Sequence, residues 1–253
     1  ESTLVIANSY SGNTEETISA LGKCEERGAE IAIITSGGKL KEIALAKNYT
    51  NIIIPGGHPP RAMFGYAFTE LFFILNHYAI IDNSFLKDFS KSIILLDQNK
   101  EEIKKEAVQI AKKMFKNTPV IYVAEGFEGV AVRFKQQLNE NSKTLAWHNV
   151  IPEMNHNELL GWRTNVNNLS VIYFRNKCDY SRNKTRIDIN KKVISKYTDN
   201  ITEVWSQGDS LIENTLYHIH IGDWASWYLS DANKVDAIEI DVIDFLKSEL
   251  AKI

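Results

Sequence analysis

Short apolar runs alternate along this chain with stretches whose apolar positions recur every three or four residues. The runs fall at 4–7, 31–34, 52–54, 93–96, 120–123, 145–147, 171–174 and 201–205. Most are continuous rather than alternating, which suits strands buried on both faces of a parallel sheet. Between them, Ile103, Ala107, Ile110, Ala111 and Met114 line one stripe of a helix. Ile238, Val242, Phe245 and Leu246 do the same near the C-terminus. This alternation predicts an α/β fold of parallel sheets with right-handed crossovers. The most apolar long stretch, 67–81, is broken by Glu70, Asn76 and His77 and is too short to span a bilayer. It reads as a buried helix.

The element pattern occurs twice. A strand at 4–7, a polar loop and a helix from Thr14 open the first half. A strand at 120–123, the loop Glu125-Gly126-Phe127-Glu128-Gly129 and a helix from Val130 open the second. The helix at 101–116 and Asn117-Thr118-Pro119 form the joint. Two α/β lobes are expected, 1–100 and 117–253.

Composition adds exclusions. Of 253 residues, 44% are hydrophobic and 24% charged, as in ordinary soluble globular proteins. The net charge of −3, with both signs interspersed, gives no electrostatic case for nucleic acid or an anionic membrane as partner. Cys24 and Cys178 lie far apart in no metal-ligand spacing, which points to a reducing, cytoplasmic setting. No signal peptide is visible, and the chain enters a strand almost at once after Glu1.

Ser9-Tyr10-Ser11-Gly12-Asn13-Thr14-Glu15-Glu16-Thr17 follows the first strand and opens a helix. The carboxyl end of a parallel strand is where open α/β sheets bind ligands. A helix N-terminus offers unpaired N–H groups suited to phosphate. Ser9, Ser11 and Thr14 add hydroxyls, and Gly12 lets the backbone approach an anion. The loop has no Lys, which favours a monophosphate over a nucleoside triphosphate with Mg²⁺. By spacing alone it equally fits a capped turn, with Asn13 and Glu16 as the capping pair.

The loop resembles the phosphosugar loop of the sugar isomerase (SIS) domain. Leu138-Asn139-Glu140-Asn141-Ser142-Lys143 and Ile151-Pro152-Glu153-Met154-Asn155-His156-Asn157-Glu158-Leu159 resemble segments of the bifunctional phosphoglucose/phosphomannose isomerases, which carry two SIS domains. The resemblance covers nearly the whole chain. It implies two SIS-like lobes, each a parallel sheet flanked by helices. It also implies Glu140 as catalytic base and His156, sixteen residues later, as the group that assists ring opening. Such chemistry needs a carboxylate to move a proton between C1 and C2 and an imidazole that titrates near neutral pH. It requires no metal and no cofactor. Read singly, Glu140 fits a solvated helix end, and His156 fits a cap for the helix that follows. His148 is taken as structural or supporting.

The Pro60-Arg61 pair matches a family Pro-Arg whose Arg contributes to the active site, which implies a catalytic role for Arg61; an Arg capping the sheet edge is the plain alternative. Ser226 and Lys234 are the nearest polar candidates for the substrate-facing residues that the family carries on its C-terminal helix. Lys234 fits a surface position as well. The family also begins with a glycine-rich strand and loop whose Ser binds phosphate. No such segment precedes Leu4, so the first lobe is expected to be truncated at its N-terminus: either roughly 50–60 residues, judged from domain length, are missing from this chain, or the protein lacks them natively. The resemblance implies interconversion of glucose 6-phosphate, and of mannose 6-phosphate as a second aldose, with fructose 6-phosphate, in a homodimer. Rival expectations are isomerisation of another phosphosugar and a non-catalytic sugar-phosphate sensor.

Overall fold

The computed structural model describes residues 3–164 and 168–252. The chain divides into two compact units, Glu1–Phe85 and Leu86–Ile253.

In the first unit β1 (Leu4–Asn8), β2 (Glu30–Thr35) and β3 (Thr50–Ile53) form a parallel sheet in the order β1-β2-β3. Successive residues of β2 serve opposite faces, as the two-residue strand period requires. Ile31 and Ile33 pack with Ala7, Leu21, Leu40 and Ala44, under α1 (Glu15–Glu26) and α2 (Gly38–Lys47). Ala32 and Ile34 pack with Ile54 and Ile74, under α3 (Phe64–His77). A strand covered on both faces has no polar alternation to show, which is why the sequence carries a plain apolar run there. The stretch read as a buried helix is α3, but it is only half covered. Of its residues Ile74 is buried, whereas Tyr66 and Phe73 are 50% and 43% exposed.

The second unit holds a four-stranded parallel sheet, ordered β5-β4-β6-β7, from β4 (Thr118–Ala124), β5 (Trp147–Ile151), β6 (Leu169–Arg175) and β7 (Ile201–Trp205). One face carries Val120, Tyr122, Val171 and Tyr173, packed against Ile151, Met154, Trp162, Ile187 and Ile194. The last two lie on α8 (Ser181–Ile194), and Met154 and Trp162 on short turns after β5. The other face is covered by α6 (Glu128–Ser142) and α9 (Leu211–Asn233), which pack on one another, and α9 packs also on α5 (Lys100–Met114). There Phe134 of α6 meets Phe174 of β6, ring centroids 5.4 Å apart.

The run at 93–96, expected as a strand, lies inside the helix α4 (Phe85–Gln98), with Ile93 and Ile94 exposed. A run of four apolar residues without turn residues beside it does not distinguish the two states, and helical neighbours on both sides decide it. The amphipathic segment at the C-terminus forms α10 (Asp241–Leu250), whose apolar residues remain largely exposed.

Candidate active-site elements

The loop 9–14 leaves the carboxyl end of β1 and is fixed by the turn that leaves β2. Ser36 donates to the Tyr10 carbonyl oxygen through its N–H (2.9 Å) and its Oγ (2.6 Å). Leu40 N–H donates to the Gly12 carbonyl at 3.0 Å, and Thr35 Oγ1 to that of Gly37 at 2.9 Å. Two glycines make this approach possible. Gly12 has φ +69°, and a Cβ there would stand 1.8 Å from the Gly37 oxygen. Gly38 has φ +64°, and its Cβ would stand 2.4 Å from the Ser11 oxygen. Both positions need glycine for conformation and for space.

Asn13 does not cap its own helix. Its Oδ1 accepts from Lys39 N–H at 3.0 Å, at the start of α2. Thr14 is the residue that precedes α1, and no side chain caps that helix. Its Oγ1 pairs instead with buried Ser9 Oγ at 2.7 Å, while Ser11 Oγ, on an exposed residue, accepts from Asn13 N–H at 3.2 Å. The first-turn N–H groups of α1 therefore lie beside three hydroxyls on a rigid loop, a seat suited to a phosphate monoester.

The third loop of this sheet closes on the same end. His58 N–H donates to Tyr10 Oη at 3.1 Å, and Pro60–Met63 form a 3-10 turn that carries half-buried Arg61. Arg61 is thus at the carboxyl edge that bears Ser9, Ser11 and Thr14. Its planar, permanently charged guanidinium suits an oxyanion.

In the second unit Glu140 lies in the last turn of α6, half-buried, beside a 520 Å³ cavity lined also by Leu145, Ile240, Val242 and Ile243. Lys143 holds this end of the helix. Its left-handed backbone (φ +54°) stops α6, and its Nζ donates to the carbonyls of Glu140, Asp236 and Glu239 at 2.7, 2.8 and 2.7 Å. Ser226, expected to face a substrate, is turned into the protein. It is fully buried between α6 and α9, where Oγ accepts from Asn141 Nδ2 at 2.9 Å and donates to the Asp223 carbonyl at 2.8 Å. It braces the residue next to Glu140. Lys234 stops α9 in a left-handed conformation (φ +58°) and is exposed.

His156 ends a 3-10 turn, Glu153–His156, and its side chain is exposed. The turn packs through Met154 on the sheet face of Tyr122, whereas α6 covers the face of Phe174. One copy of the second unit therefore carries Glu140 and His156 on opposite faces of its sheet. His148 points to the α6 side and pairs with Glu128, Nε2 to Oε1 3.4 Å, at the start of that helix.

Sequence reasoning passed over the partners that make these elements rigid. Thr35, Ser36 and Gly38 lock the phosphate-type loop, and the Gly37-Gly38 pair after an apolar run was the available signal for a tight turn. Among the described residues no group of three or more His, Cys, Asp and Glu side chains is placed to hold a metal ion. No described helix is long and apolar enough to cross a membrane.

A hydroxyl-rich loop at the carboxyl edge of one parallel sheet, and a second parallel-sheet unit, define an α/β protein with a seat suited to an anion. The family profile described as bacterial phospho-glucose isomerase C-terminal SIS domain matches residues 103–250. A bifunctional phosphoglucose/phosphomannose isomerase of Caldicellulosiruptor bescii is 36% identical, over 99% of this chain and 77% of the relative. A protein of the same name in Aquifex aeolicus is 33% identical, over 98% and 76%. The D-glucosamine-6-phosphate 4-epimerase of Sulfolobus acidocaldarius is 40% identical over 62% of this chain and 50% of its own. In fold, the crystal structure of a hypothetical protein from Thermus thermophilus matches 99% of this chain and 71% of that one with TM-score 0.76 at 14% identity. The chain belongs to the bifunctional phosphoglucose/phosphomannose isomerase family.

Proposed function

We propose that this protein is an aldose–ketose isomerase that interconverts glucose 6-phosphate, and mannose 6-phosphate, with fructose 6-phosphate. The observation that carries the proposal is its match, over nearly the whole chain, to enzymes named for both aldoses. The grip on the loop 9–14 supports a phosphosugar as the substrate class. Ser9, Ser11, Thr14 and the first N–H groups of α1 would bind the phosphate, and Arg61 would stabilise the developing oxyanion.

His156 would open the cyclic hemiacetal by moving a proton between the anomeric hydroxyl and the ring oxygen. The Glu140 carboxylate would then take the proton from C2 of the open aldose. The electron pair forms the C1–C2 double bond, O1 gains a proton, and a cis-enediol results. Return of a proton to C1, with loss of the O2 proton, gives the ketose. Each group is worth typically about 10²–10⁴-fold in rate. Rotation about C2–C3 in the enediol would let Glu140 serve either C2 epimer. Lys234, exposed at the end of α9, is retained as a contact to substrate oxygens.

The protein is proposed to act as a homodimer in the cytoplasm, with SIS-like domains at 1–100 and 117–253. Its partner is a phosphosugar, not nucleic acid or a membrane. The opposite-face placement of Glu140 and His156 supports a site in which His156 comes from a second copy. The test is a substrate panel that follows fructose 6-phosphate formation from each aldose. The similarity to an amino-sugar phosphate epimerase favours a second reading, epimerisation of D-glucosamine 6-phosphate at C4. Turnover of that compound, with neither neutral aldose converted, would select it.

A further inference from the structure

We infer that Glu158 is the positioning residue for His156, holding the turn that presents the imidazole; the inference rests on the role proposed above for His156. Glu158 opens the short helix α7 (Glu158–Gly161), two residues after His156. Its carboxylate is an acceptor with three donors around it. Tyr122 Oη donates to Oε1 at 2.5 Å, Trp147 Nε1 to Oε1 at 3.1 Å, and Asn149 Nδ2 to Oε2 at 2.6 Å. Tyr122 is fully buried and already packed, and its hydroxyl also accepts from Trp162 Nε1 at 3.1 Å. Three side-chain donors from two adjacent strands converge on this one carboxylate, so the first residue of α7 is fixed against the sheet, and removing the carboxylate would leave the buried Tyr122 hydroxyl without its acceptor.

The other flank of His156 is held too. Asn155 Nδ2 donates to Asn190 Oδ1 of α8 at 2.6 Å, and Met154 is fully buried beside it. Asn157 Oδ1 accepts from Glu158 N–H at 2.5 Å and caps α7. His156 is therefore an exposed side chain on a turn pinned immediately before and after it. Burial first, and then the bond to Glu158, keep the Tyr122 phenol far above its ordinary range, so it stays a donor at any working pH.

The test is a double-mutant cycle between Glu158 and His156 on the purified protein, with glucose 6-phosphate turnover and the affinity of an acyclic hexitol 6-phosphate as readouts. The hexitol needs no ring opening. E158A is expected to lower kcat about 10–100-fold, the cost typical of a catalytic group displaced by about 1 Å. The hexitol affinity is expected to hold. E158Q keeps the acceptor for Tyr122 and Trp147 but sets an amide against the Asn149 donor, so an intermediate loss is expected. The E158A/H156A protein should be no slower than H156A alone. Losses that multiply, or normal kcat in both Glu158 variants while H156A is impaired, would overturn the inference and leave the role of His156 standing. Normal turnover by H156A would overturn both. Should E158A fail to fold, E158Q and Tyr122→Phe carry the same cycle.

Discussion

Glu140 is a side chain whose type and neighbours carry the chemistry while its local helix gives no hint of it. It comes two residues after the last member of the stripe Val130, Phe134 and Leu138, and it is half-buried. What distinguishes it is the apolar cavity beside it and the Lys143 clamp beneath it. Glu140→Gln removes the base and keeps the volume. It should lower kcat about 10²–10⁴-fold while fructose 6-phosphate still binds, which titration calorimetry can check. Ser226 shows the opposite case. A hydroxyl on a C-terminal helix looked like a ligand contact, and only packing reveals that it is fully buried with both its bonds made inside the protein.

His218 gives a prediction of another kind. It is fully buried on α9, Nε2 lies 3.1 Å from Asn176 Oδ1, and burial pushes its pKa down to about 3. The folded value is below the unfolded one, so the unfolded chain binds the extra proton. Stability is unaffected above the unfolded pKa of about 6.5 and falls as pH drops from there toward 3, by up to about 1.4 kcal/mol for each pH unit. Replacing His218 by Phe or Gln should flatten denaturant-midpoint profiles across that window. An unchanged slope would contradict the assignment.

At the scale of elements, strand-rich runs and helix stripes were legible wherever tertiary packing agreed with local pattern. β2, β4 and β6 are covered on both faces and read as unbroken apolar runs. The segment 93–96 has the same composition but is amphipathic at helical period, and its exposed Ile93 and Ile94 show that burial had not selected it. The loop 9–14 was legible as a loop and as a seat for an anion, but its partner was not. Asn13 caps α2 rather than α1, because the turn after β2 lies against it in space and 26 residues away in sequence. The Glu158 clamp, too, gathers donors from β4 and β5 that no local motif links.

Two glycines, one in the loop and one in the helix that follows it, make a paired prediction. Gly12→Ala meets the Gly37 carbonyl at 1.8 Å in a left-handed conformation, so it should cost more than about 1 kcal/mol and weaken inorganic phosphate binding. Gly22→Ala lies within α1 with nothing within 4 Å of the new Cβ, and should stabilise by about 0.4–1 kcal/mol. Thermal denaturation of the two variants, with and without phosphate, separates a loop effect from a helix effect. Equal shifts would mean that the loop conformation is not tied to the anion.

For the molecule as a whole, the double pattern of sheets was readable from element order, whereas the division at Phe85–Leu86 was not. Helices α4 and α5 carry no sequence mark of the unit to which they belong. The arrangement of Glu140 and His156 on opposite faces of one sheet sets a test of the proposed dimer. E140Q and H156A should each be inactive alone. Mixed and reassociated in equal amounts, they should regain about a quarter of wild-type turnover, because random pairing gives half mixed dimers with one intact site each. No recovery, despite confirmed subunit exchange, would place both residues' contributions within one copy.

The most direct measurement is formation of fructose 6-phosphate from glucose 6-phosphate and from mannose 6-phosphate by the wild-type protein, with E140Q beside it. Product is expected from both aldoses, with a loss of about two or more orders of magnitude in the variant. Tight binding of fructose 6-phosphate with no turnover of either aldose, or full activity in E140Q, would contradict it.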